Sequence, residues 1–157
     1  MKSAIVKVSA LVIGFAAATS FAQQSKSEVN VDNVIQTGVA FGGSSTKQNI
    51  ELGNASNGGT ATLTAKNVIQ TGVAFGGSKV DQTIKMANAD NGKATVKVNN
   101  AIQTGVAFGG SKVTQNMEVG NAANGGETTV NAKNIIQTGV AFGGSSSTAD
   151  IKIGNAK

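Results

Sequence analysis

Ile35-Gln36-Thr37-Gly38-Val39-Ala40-Phe41-Gly42-Gly43-Ser44 occurs four times in this chain without a change. The copies begin at Ile35, Ile69, Ile102 and Ile136, at spacings of 34, 33 and 34 residues. An Asn stands two positions before each copy, at Asn33, Asn67, Asn100 and Asn134. A period of this length is the mark of a stacked repeat architecture, in which one unit is too small to bury its apolar face and neighbouring units bury it together.

The block itself reads as a strand. In the second copy Ile69, Thr71, Val73 and Phe75 share one face, and Val68, Gln70, Gly72, Ala74 and Gly76 share the other. Gly76-Gly77-Ser78 then ends the strand and permits a sharp arch. Neither face varies between copies, so both are expected to pack, with Gly72 and Ala74 letting another sheet approach closely. Upstream, Ala94, Val96 and Val98 alternate with Thr95 and Lys97. Downstream, Gln82, Ile84 and Met86 alternate with Thr83 and Lys85. Both are half-buried strand patterns. Asn-Ala-x-Asn-Gly closes the unit as a turn at 54–58, 88–92 and 121–125.

The pattern divides the chain into units 27–59, 60–92, 93–126 and 127–157. It predicts an all-β fold, a β-solenoid-like stack of four three-stranded repeats that becomes cross-β when polymerised, preceded by a signal-peptide helix. Layers about 4.8 Å apart make a body only about 19 Å tall.

Stacking in register places like over like. Gln36, Gln70, Gln103 and Gln137 are expected to form an amide ladder, and Asn54, Asn88, Asn121 and Asn155 another at the turn. Phe41, Phe75, Phe108 and Phe142 should stack as one column. Such ladders are the side-chain devices of cross-β assemblies. Fifteen residues after each ladder Gln comes an outward position holding Glu51, Lys85, Glu118 and Lys152 in turn. Like charges stacked at this spacing would repel by roughly 1 kcal/mol even in water, whereas alternating signs attract across strands. The alternation continues between molecules if Lys152 of one chain meets Glu51 of the next.

Composition narrows the function. The chain has no Cys, His, Trp, Tyr, Pro or Arg. The usual transition-metal sites cannot be built without Cys or His, and a self-repeating chain offers no converging carboxylate pair, so no catalytic, cofactor or metal site and no enzyme activity are expected. The pI of about 9.6 overstates the basic character. Lys2 and Lys7 belong to a leader, which leaves eleven Lys, interspersed with eight acidic residues. Without clustering or stacking aromatics, nucleic acid is not expected as a primary partner.

The leader spans 1–22: Lys2 and Lys7, an apolar run over 10–18, and Ser20-Phe21-Ala22 as a cleavage site. The mature chain would begin at Gln23, with no membrane insertion of its own. No distinct cap is expected at either end of the stack. Soluble solenoids need polar caps, and soluble sheets blunt their edges with Pro or charges. The expected partner is therefore another copy, joined head to tail, in a secreted fibre outside the cell or at its surface.

The leader, the Gly/Asn/Gln-rich repeats and the Gln36-x-Gly38, Gln70-x-Gly72, Gln103-x-Gly105 and Gln137-x-Gly139 motifs, with Gln48, Gln82 and Gln115 further on, resemble bacterial functional-amyloid subunits of the curlin and Fap type. The resemblance implies export through a dedicated outer-membrane pore and nucleated assembly into a fibre for biofilm matrix, adhesion or surface coating. The alternative reading is a monomeric secreted β-solenoid that binds a ligand or ice along one face, with Thr37, Thr71, Thr104 and Thr138 as one Thr per layer.

Overall fold

A computed structural model describes residues 26–56, 59–90, 92–123 and 126–154. The expected leader at 1–22 and the last turn residue, Asn155, lie outside these. Among the described residues the chain is all strand and turn, with no helix.

The chain winds as a parallel β-solenoid of four coils. The first coil holds β1 (Lys26–Phe41) and β2 (Ser45–Leu52). The second holds β3 (Thr60–Phe75), β4 (Lys79–Met86) and the short β5 (Ala89–Asp90). The third repeats this with β6 (Lys93–Phe108), β7 (Lys112–Val119) and β8 (Ala122–Ala123). The fourth holds β9 (Glu127–Phe142) and β10 (Ser146–Ile153). The long strands form one sheet in the order β1-β3-β6-β9, and the shorter ones a second in the order β2-β4-β7-β10. Every pairing is parallel and joins equivalent positions, such as Gln36 to Gln70 and Ile50 to Ile84.

One expectation needs correction. The first two segments of each unit are a single strand of 16 residues, not two short ones. Nothing at Lys66-Asn67 breaks an extended backbone. What changes there is the alternation: Ala61, Leu63 and Ala65 are buried, then Lys66 and Asn67 both stay out, then Val68, Gln70, Gly72 and Ala74 are buried. The slip by one residue re-aims the inward face without ending the ladder.

The interior has two parts. Larger side chains, among them Leu63, Val68, Ile84, Met86, Val96 and Met117, fill one cluster. Ala40, Ala74, Ala107, Val80 and Val113 form a thinner one beside the Gly-Gly arch. The thin part exists because Gly72 and Gly105 have no side chain. A Cβ on Gly72 would lie 2.5 Å from Val80 Cγ1, and one on Gly105 would lie 2.3 Å from Val113 Cγ1. Both arch glycines take positive φ in each coil, as at Gly76 (63°) and Gly77 (76°). Hydrogen bonds between coils run on through the arch, with Gly42 N–H donating to the Phe75 carbonyl and Gly43 N–H to that of Gly76.

Candidate assembly surfaces

The ladder glutamines lie on the buried face of the long strands. Gln70 Nε2 donates to Gln36 Oε1 at 2.8 Å, Gln103 to Gln70 at 2.7 Å and Gln137 to Gln103 at 2.6 Å. The same amides reach across the coil to the facing strand, to the carbonyls of Thr83, Asn116 and Asp150. Each buried amide thus holds two sheets together and ties one coil to the next. A bond of this kind contributes about 1 kcal/mol net, and losing one partner of a buried pair costs more.

The four phenylalanines stack with ring centroids 4.9, 5.0 and 5.1 Å apart. They stand on the outer face, where Phe41 and Phe142 are the exposed ends of the column.

The turn asparagines do not build the expected amide ladder. Among the described residues their side chains supply one bond, Asn88 Oδ1 accepting from Asn121 N–H at 3.4 Å. The asparagine ladder stands instead at the corner, where Asn67 donates to Asn33 (2.6 Å), Asn100 to Asn67 (2.7 Å) and Asn134 to Asn100 (2.8 Å). The turn lacks it because Ala55, Ala89 and Ala122, not the asparagines, are the residues that pair there. A serine ladder at the arch was also missed. Ser78 N–H donates to Ser111 Oγ and Ser111 N–H to Ser145 Oγ, both at 3.1 Å. The hydroxyls of Ser78 and Ser111 in turn donate to Phe75 and Phe108 in their own coil. The signal for both ladders was present, since Asn and Ser recur at fixed offsets around the block.

Glu51, Lys85, Glu118 and Lys152 lie in register in one column. They form one wall of a groove whose other wall includes Ala55, Ala89 and Ala122. Within the column only Lys152 and Glu118 make an ion pair, at 3.8 Å. Glu51 accepts from Asn49 Nδ2 at 2.9 Å. Closer pairs join coils elsewhere, Lys66 to Asp32 and Lys93 to Glu127, both at 3.0 Å. Apart from the half-buried Glu118, these groups are exposed, so each pair contributes at most about 1 kcal/mol.

Comparison of the chain with family models, with curated proteins and with solved structures found no match.

Two surfaces stand out. One is the pair of end coils. Among the described residues, β1 and β2 on one side, and β9 and β10 on the other, each pair with a single neighbouring strand and have none on their other edge. At the β9–β10 end the side chains of Ile151 and Ile153 are 38% and 46% exposed, while Ile50 and Leu52 in the equivalent positions of β2 are buried. The other surface is the outer face of the repeated block. Ile35, Val39, Phe41, Ile136 and Phe142 are exposed there. Within the chain, the Gln-Gly-Ala face of the block is buried, and among the described residues the Ile-Thr-Val-Phe face is covered by its own ladder neighbours alone.

Proposed function

We propose that this chain is a secreted structural subunit that adds head to tail to copies of itself, forming extracellular amyloid-like fibres for biofilm matrix, adhesion or surface coating. An outer-membrane export pore and a nucleator would serve it, as the leader and the curlin-like and Fap-like resemblance imply.

The observation that carries this reading is the match between the end strands. Laying β1 and β2 of a second copy on β9 and β10, in the register used between coils, brings together residues of the same kind. Gln137 meets Gln36, Phe142 meets Phe41, Asn134 meets Asn33, and Ile151 and Ile153 meet Ile50 and Leu52. Both strands of such a pair carry a charge at three positions, and each joins opposite signs: Glu127 with Lys26, Lys133 with Asp32, and Lys152 with Glu51 of the next copy. Among the described residues inside the chain one in-register pair, Lys79 and Lys112, is like-charged. The junction has none. A contact between two different ends of one molecule does not close, so it generates an open filament. Each added copy covers an unpaired strand edge and the exposed Ile151 and Ile153.

The chain from Gln23 onward is expected to form thioflavin-binding fibres with reflections at about 4.7–4.8 Å and about 10 Å. A species that stays monomeric at high concentration by sedimentation would favour the ligand-binding or ice-binding solenoid instead.

A further inference from the structure

We infer that the Ile-Thr-Val-Phe face is the surface through which two filaments of this chain pair side by side, an inference that rests on the head-to-tail reading above. In the first coil the face consists of Ile35, Thr37, Val39 and Phe41, and the other coils repeat it unchanged. No charged residue lies on it, although Lys, Asp or Glu occur on the outward positions of β2, β4, β7 and β10. Among the described residues, the exposed large apolar side chains fall on two surfaces only. Ile151 and Ile153 belong to the open end, and the other five belong to this face.

The size of the face selects its occupant. Seven residues of strand by four layers gives about 23 Å by about 19 Å, or roughly 440 Å² per chain. A stable pair of proteins needs roughly 800 Å² on each partner. Two single chains therefore fall short, and the same face becomes sufficient once two or more copies are joined end to end. A partner that matches columns repeating every ~4.8 Å must itself be a strand stack of that spacing, and dry, interdigitated contact between identical stacks is the steric-zipper arrangement. A two-fold axis along the fibre sets the Phe column of one filament against the Ile column of the other, and the Val column against the Thr column. Pairing then follows growth and does not compete with it, since it uses neither strand edge.

The test is a double substitution on this face, Val73→Glu with Val106→Lys. These two positions are in register, so the new charges attract within the filament while resisting burial between filaments. Mass per length by electron microscopy, with thioflavin binding and fibre diffraction, reads the result. Parent fibres should contain two chains per four-layer rise, and variant fibres one, with the ~4.8 Å reflection kept in both. Parent fibres that are single filaments, or variant fibres that remain double, overturn the pairing and leave head-to-tail growth standing. A parent chain that stays monomeric, or that shapes ice crystals through this face as a monomer, overturns both.

Discussion

Gln115 lies in register with Ala149, and neither end of its buried amide has a partner among the described residues. In the first two coils this position is Gln48 and Gln82. Gln82, with its amide oriented to satisfy both ends, donates to the Thr104 carbonyl and accepts from Gly72 N–H. In the fourth coil Ala149 and Ser147 replace the Gln and the Val of the coil beneath. The inner wall of that coil is therefore hollow beside an amide that needs a partner.

Filling the hollow should stabilise the assembly. Ala149→Gln offers Gln115 an in-register amide and, in a fibre, offers the same to Gln48 of the next copy. One added buried hydrogen bond is worth about 1 kcal/mol, and relief of an unsatisfied amide about 1–3 kcal/mol. The guanidinium midpoint for fibre dissociation is expected to rise. An unchanged or lower midpoint counts against the hollow being the weak layer.

The turn after β2, β4, β7 and β10 tests backbone strain in the same way. Gly53 and Gly120 have φ of 66° and 65°, and Ala87 holds the equivalent place at 47°. A non-glycine there costs about 1–2 kcal/mol, partly offset by about 0.4–1 kcal/mol from a stiffer unfolded chain. On Gly53 a Cβ meets nothing nearer than the Thr62 carbonyl at 3.5 Å, so Gly53→Ala should cost about 1 kcal/mol or less. On Gly120 it meets Val130 Cγ2 at 2.5 Å, so Gly120→Ala should cost a further ~1–3 kcal/mol. Urea midpoints for the two variants should separate accordingly. Equal losses would mean that the side chains move aside freely.

Much of the fold was legible because the block repeats without error. Identical residues at fixed spacing left one economical register, and the parallel stack with its Gln and Phe columns follows from it. The rest was hidden for local reasons. Lys66-Asn67 is a corner made by a slip in alternation, with no Gly or Pro to announce it, so one strand looked like two. The Asn-rich turn drew attention away from Asn33, Asn67, Asn100 and Asn134, whose amides form the ladder. The sameness of the Ile-Thr-Val-Phe face says that something constrains it, but repetition within one chain does not reveal whether the packing partner is that chain or another. Ala149 and Ser147 look like ordinary drift until their neighbours Gln115 and Val113 are placed.

The close approach of the two sheets depends on Gly105 facing Val113. Gly105→Ala would drive a methyl against Val113 Cγ1 and should cost about 1–3 kcal/mol. Val113→Ala alone removes buried apolar surface and should cost about 1–3 kcal/mol. Together they should cost less than their sum by about 0.5–3 kcal/mol, because the smaller side chain vacates the space that the new methyl takes. A double-mutant cycle on denaturation midpoints measures this. Strict additivity would show that the two positions do not share that space.

The junction charges give the most direct test of end-to-end growth. Lys26 faces Thr60 inside the chain, and the position equivalent to Lys133 in the coil beneath, between Val98 and Asn100, is Asn99, so neither has a charged residue at the equivalent position of the neighbouring coil. Lys26→Glu with Lys133→Glu therefore leaves the contacts between coils nearly intact and turns two opposite-charge junction pairs into like-charge pairs. Each exchange replaces an attraction of about 0.2–1 kcal/mol with a repulsion of roughly 1 kcal/mol. Elongation at low ionic strength should slow about tenfold or more, and salt at about 0.5 M should restore much of the rate by screening. Lys97→Glu with Lys112→Glu makes the same change in net charge within the third coil, away from both ends. If growth were governed by overall charge, the two variants would slow alike; if by the matched ends, only the first would. Equal slowing, or none in the first, would remove the junction register on which the filament depends.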